Sequence, residues 1–110
     1  MIQFLLKQKL VLLLVCFPLL HGTVAFAQQK FTLNGYIKDA ANGEALIGAT
    51  VYVTEIAGGT TTNVYGFYSI TLPPGDYSLE YRFVGYESLA KSISLNANMR
   101  EDVELRSDSK

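Results

Sequence analysis

The stretch Thr62–Glu87, TNVYGFYSITLPPGDYSLEYRFVGYE, decides the fold. Tyr68, Ile70 and Leu72 alternate with polar neighbours in its first half, and Tyr77, Leu79, Tyr81 and Phe83 do so in its second. A period of two is the mark of a half-buried strand, because successive side chains point to opposite faces of a sheet. Pro73-Pro74-Gly75-Asp76 separates the two runs, and Gly66 and Gly85 punctuate their outer ends. The expected structure is a β-hairpin with one face in a core.

The same period extends in both directions. Phe31, Leu33, Gly35 and Ile37 face one way in a first strand, and Asp39 to Glu44, with Asn42-Gly43, reads as a turn. Ala49, Val51 and Val53 mark the next strand, Gly58-Gly59 a turn, and Thr60 to Asn63 a short β-branched strand. Beyond Gly85, Lys91 to Leu95 reads as a sixth strand with Ile93 and Leu95 inward. Glu101 to Leu105 reads as a seventh with Val103 and Leu105 inward. No segment carries an apolar stripe at helical spacing. The expected fold is all-β: a small β-sandwich of six to seven strands, Ig-like, with a Greek key as the usual strand order.

The first 27 residues read as a signal peptide. Lys7 and Lys9 lead an apolar run from Leu10 to Leu20, and Ala25-Phe26-Ala27 fits a small-x-small cleavage site. The run reaches only about half of a ~30 Å bilayer core, which argues against a permanent span. Leu13-Leu14-Val15 ahead of Cys16 lacks the small residues of a lipoprotein site. The expected organisation is a signal peptide at 1–27, one domain at 28–106, and the start of a linker or tail at 107–110.

Cleavage after Ala27 would remove both Cys16 and His21, the single cysteine and the single histidine of the chain. The exported part then has no disulfide, thiolate nucleophile or imidazole base. It also loses the usual zinc ligands. Removing Lys7 and Lys9 from nine Lys and Arg leaves seven against ten Asp and Glu, a net charge near −3. That charge disfavours nucleic acid and anionic lipid as partners.

Little else suggests chemistry. No Gly-x-Ser-x-Gly elbow occurs, and Lys91 and Ser92 point to opposite faces of a strand. Ala41 and Gly43 stand where a calcium loop beginning at Asp39 would need oxygen ligands. Asp102 and Glu104 share a strand face with Glu101 nearby. A solvated, charge-blunted edge explains them better than a weak cation site. Neither cofactor nor metal is expected, and the chain is not expected to be an enzyme.

The aromatic residues divide by face. Tyr68, Tyr77 and Tyr81 follow the inward pattern, with hydroxyls reaching the rim. Tyr36, Tyr52, Tyr65 and Phe67 point outward or sit in a turn, and they are the candidate contacts for a protein partner or a glycan. Cross-strand pairing on a solvated face is the simpler account of the same residues.

The order Gly35-Tyr-Ile-Lys-Asp39, Gly43-Glu-Ala-Leu46-Ile-Gly48-Ala-Thr-Val51-Tyr-Val53 resembles the opening of the carboxypeptidase regulatory-like domain family. The likeness continues through Thr61-Thr62-Asn63, Gly66-Phe-Tyr68-Ser-Ile70, Pro74-Gly75-Asp-Tyr77-Ser-Leu79 and Val84-Gly85-Tyr86. The family usually carries Asp where Asn63 stands, which counts further against a metal. The resemblance implies a transthyretin- or prealbumin-like sandwich without activity of its own. It also implies the setting in which such domains follow a signal peptide, at the N-terminus of TonB-dependent outer-membrane receptors of the glycan-uptake type. On that basis the chain is expected to be a periplasmic accessory domain associated with the outer membrane. It would be a truncated or fragmentary receptor N-terminus whose partners are a receptor plug or barrel or other envelope proteins. The alternatives are a freestanding carbohydrate-binding module and an accessory domain of a secreted peptidase.

Overall fold

The computed structural model describes residues 27–108. Apart from Ala27, the signal peptide expected at 1–27 lies outside these residues, with Cys16 and His21. So do the last two residues of the expected tail.

Eight strands follow in chain order: β1 (Phe31–Asp39), β2 (Thr50–Val53), β3 (Gly58–Thr61), β4 (Phe67–Leu72), β5 (Gly75–Arg82), β6 (Leu89–Leu95), β7 (Met99–Arg100) and β8 (Val103–Leu105). A single 3-10 turn, Thr54–Ile56, joins β2 to β3. One sheet has β1 at its centre, paired antiparallel with β4 and parallel with β7 and then β8. The other is antiparallel throughout, in the order β3-β2-β5-β6. The two sheets enclose one core. Leu33, Ile37, Ala49, Val51, Val53 and Tyr81 are its most deeply buried members, with Tyr68, Leu79, Leu95 and Leu105 beside them. The all-β sandwich is therefore as expected, and every inward residue named from the period of two is buried or packed against the core.

Three local expectations are corrected. The runs on either side of Pro73-Pro74 do not form a hairpin. β4 pairs with β1 in one sheet, and β5 pairs with β2 and β6 in the other. The link Pro73-Pro74 is a corner between sheets, stapled by the Tyr77 hydroxyl, which donates to the Pro73 carbonyl at 2.6 Å. Alternation had reported the faces correctly, because both runs point inward, but towards each other across the core.

Gly58-Gly59 is not a turn either. The chain reverses through the 3-10 turn and Ala57, whose φ is +48°. Gly59 pairs with Tyr52 inside β3, and a Cβ there would stand 1.8 Å from the Val51 carbonyl oxygen, so the position requires glycine.

Of the seventh strand expected at Glu101 to Leu105, only Val103–Leu105 is strand; Glu101-Asp102 is a break, and a further short strand, Met99–Arg100, precedes it. The break follows from Gly35. The Glu101 carbonyl turns inward over the place a Gly35 Cβ would occupy, 1.9 Å away, and accepts the Tyr68 hydroxyl at 2.6 Å. The ladder is kept whole by side chains: Tyr36 N–H donates to Asp102 Oδ1 at 2.9 Å, and Thr32 N–H to Asn98 Oδ1 at 3.0 Å.

Candidate functional site

The break between β7 and β8 positions a groove at the sheet edges. Glu101 N–H still bonds the Asn34 carbonyl at 2.8 Å, so Arg100 is held in register beside Asn34. Its guanidinium lies over the Tyr36 ring, 5.4 Å from the centroid, and Lys38 Nζ lies 5.6 Å from the same centroid. Tyr36 also meets Phe67 across the β1–β4 pair, with ring centroids 5.3 Å apart and planes tilted by 58°. On the other flank, Lys91 of β6 donates to Glu101 Oε2 at 3.0 Å and ties the edges of the two sheets together. The groove between these edges has a volume of about 540 Å³, and Tyr36, Lys38, Leu89, Lys91, Arg100 and Asp102 line it.

Two of its three cations are paired with carboxylates. Arg100 Nε donates to both Asp102 oxygens, at 3.2 and 3.0 Å. Those bonds, with the Tyr36 N–H, hold the Asp102 carboxyl below its ordinary pKa, and Asp102 raises that of Arg100. Cation–π contacts at an exposed site contribute about 0.5–1 kcal/mol each and fix the geometry more than the stability. The surface is amphipathic: an aromatic pair, three cations and the carboxylates that partner two of them. It can bind and orient.

The four outward aromatics do not share a surface. Tyr36 and Phe67 are neighbours on the outer face of the β1 sheet. Tyr52 is on the outer face of the other sheet, beneath the Arg82 guanidinium at 4.8 Å, with Arg82 in turn held bidentate by Glu80 at 2.7 and 2.8 Å. That pairing lowers the Glu80 pKa and raises that of Arg82. Tyr65 projects from the turn between β3 and β4, 71% exposed. Sequence reasoning missed Lys38, Lys91 and Arg100 as companions of Tyr36. Lys38 carried a signal, being two residues from Tyr36 and so on its face. Arg100 arrives by a parallel pairing that no local pattern announces.

The remaining acidic candidates are structural. Asp39 Oδ1 accepts the Ala41 N–H at 2.7 Å, its Oδ2 accepts the Tyr86 hydroxyl, and its carbonyl accepts the Gly43 N–H at 2.8 Å. Tyr86 and the Ala41 amide hold the carboxyl below its usual pKa, and Asp39 pushes the Tyr86 phenol up. Asn63 Oδ1 accepts the N–H groups of Tyr65 and Phe67 at 2.9 and 3.1 Å, work that a carboxylate oxygen could equally do. Among the described residues no group of three or more His, Cys, Asp or Glu is arranged to hold a metal.

With this geometry in hand, residues 33–110 match the CarboxypepD_reg-like domain family. The chain belongs to that family. It is 33% identical to the TonB-dependent receptor SusC of Bacteroides thetaiotaomicron over 86% of its length, and 37% identical to the TonB-dependent transporter Oar of Myxococcus xanthus over 79%. It spans only 9% of the length of each of these relatives. Among solved structures, a DUF3823 family protein from Bacteroides ovatus superposes with a TM-score of 0.56 at 24% identity. That match covers 70% of this chain and 44% of the other, and it shows the sandwich fold alone. Among the described residues no helix is long and apolar enough to cross a membrane, which says nothing of β-barrels.

Proposed function

We propose that this CarboxypepD_reg-like domain is a non-catalytic periplasmic accessory domain of a TonB-dependent outer-membrane receptor of the nutrient-uptake type, working through protein contacts. The observation that carries this reading is the joint likeness, over more than three quarters of the chain, to two receptors and transporters of that class. The structure supports it in a second way. Asp39 and Asp102, the acidic groups with the best-defined surroundings, have their oxygens engaged in holding turns and ladders. In-frame deletion of residues 28–108 in the producing cell tests the reading. Substrate uptake should fall while the receptor still reaches the outer membrane. Unchanged uptake, or hydrolase activity that persists through purification of the domain, would overturn it.

A glycan-binding role is the second reading, favoured by the Tyr36–Phe67 pair beside the groove. Oligosaccharide titration monitored by NMR decides it. Shifts at Tyr36 and Phe67 that vanish in Tyr36→Ala would establish it, and an unchanged spectrum at millimolar ligand would end it.

A further inference from the structure

Four of the five large apolar side chains exposed among the described residues sit in turns at one end of the sandwich: Ile47, Val64, Tyr65 and Val84, the last 94% exposed. Only Ile56 lies at the other end, in the turn after β2. The turns that carry Ile47, Val64 and Tyr65 are clasped together. The Thr62 hydroxyl donates to the Leu46 carbonyl and accepts the Ala49 N–H at 2.9 Å. The Ile37 N–H bonds the Gly66 carbonyl at 2.8 Å, and Leu46 N–H bonds the Ile37 carbonyl at 3.0 Å. Val84 flanks a shallow hollow shared with Gly48, next to Ile47. The backbone under the Ile47, Val64 and Tyr65 tips is thus tied down, so less loop freedom remains to be lost on binding. Exposed apolar groups gathered on one rigid surface are the usual sign of a contact site.

Two observations say what covers it. The chain runs out at this same end: Glu87 N–H bonds the Arg106 carbonyl at 2.8 Å, and Asp108 N–H bonds the Gly85 carbonyl at 3.0 Å, beside Val84. Polypeptide continuing past Asp108 therefore starts within reach of the apolar tips, at high effective concentration. The exposed acids Glu44, Glu87 and Asp108 border this end together with the exposed Arg106 and Arg82, the latter lining the hollow beside Val84, and this mixed-charge rim suits a polar protein margin better than an anionic lipid surface.

We infer that this end is a docking surface for the receptor polypeptide that continues from the domain, seated through an apolar patch with a polar rim. The inference rests on the accessory-domain reading above. It is tested in the producing cell with the full chain carrying p-benzoylphenylalanine at Val84, at Tyr65 or, for comparison, at Ile56. Photocrosslinked partners are identified by mass spectrometry. Receptor polypeptide captured from Val84 and Tyr65 and not from Ile56 is the expected result. The pair Val64→Glu and Val84→Glu, both on exposed side chains, should leave thermal unfolding unchanged and cut capture from Tyr65 by about tenfold. Capture of lipid or of a second copy of the chain, or equal capture from Ile56, overturns the docking surface. Receptor captured from Ile56 alone does so while leaving the accessory role intact, whereas no receptor captured from any position counts against both.

Discussion

The hydroxyls of Tyr68 and Tyr81, carried on facing sheets, lie 3.0 Å apart in the core, with their rings edge to face at 5.8 Å. Tyr68 has one proton, and it goes to the Glu101 carbonyl at 2.6 Å, so Tyr81 is the donor between the two. The relay runs from one sheet through the other to the broken strand. It makes the two phenols unequal. Tyr68→Phe strands the Tyr81 proton and the Glu101 carbonyl together and should cost about 1–3 kcal/mol. Tyr81→Phe removes a single bond and should cost about 0.5–1.5 kcal/mol. Urea unfolding of the two variants checks the order, and a larger loss for Tyr81→Phe would refute the donor assignment.

Burial pushes both phenols above their ordinary pKa, most strongly Tyr68. The folded state thus holds protons that the unfolded chain releases near pH 10. The sign follows: this contribution to stability is complete below about pH 10 and is lost as pH rises further. Alkaline titration should show tyrosinate absorbance from these two residues appearing only together with loss of the fold.

At the acid end the groups are Asp39, Asp102 and Glu80, all with lowered pKa in the fold. Their contribution is present above the unfolded carboxylate range, about pH 4, and is lost as pH falls below it. Tyr86 is the main cause at Asp39, so Tyr86→Phe should flatten the acid limb of the stability curve and leave its neutral part less affected. An acid limb identical to that of the parent chain would contradict this.

Gly35→Ala should be among the most damaging small substitutions in the molecule. Its Cβ meets backbone, not a side chain that can swing away, and overpacking of that kind costs about 1–3 kcal/mol or more. Gly43→Ala places its Cβ in open space and is penalised only by its φ of +74°, for a loss of about 1 kcal/mol. Thermal unfolding of the pair separates close approach from backbone strain.

Asp102 can be tested at a single amide. Asp102→Ala frees the Tyr36 N–H, and hydrogen exchange there should accelerate. Asp102→Asn keeps an oxygen at the same place and should preserve much of the protection. Equal exchange in both variants would mean that the carboxylate charge, and not its acceptor, holds the strand.

The faces of the strands were legible because burial imposes a period of two that each strand writes into its own residues. Tyr77, Leu79, Tyr81, Ile93 and Leu95 were read correctly, and Leu79→Ala should cost about 2–5 kcal/mol for that reason. Partners were not legible. Pro73-Pro74 looks the same whether it closes a hairpin or turns a corner between sheets, and the choice is made by β1 and β2, far away in sequence. The break at Glu101-Asp102 was hidden for a similar reason. It depends on Gly35, which alternation alone counts as one more inward position. Of the candidate contact residues, exposure could be inferred for Tyr36, Tyr52, Tyr65 and Phe67, but not that they fall on different surfaces.

The parallel pairing of β1 with β8 has a mechanical consequence. Ala40 N–H bonds the Leu105 carbonyl at 2.9 Å, and the Asp102 and Glu101 bonds continue the same line down β1. A pull on Asp108 along the strand axis loads this row in shear, so its bonds resist together. A pull across the axis would open them one at a time. Forced unfolding follows the unfolding barrier rather than equilibrium stability. The attachment of the outgoing chain is therefore stiff in one direction and easily peeled in the other.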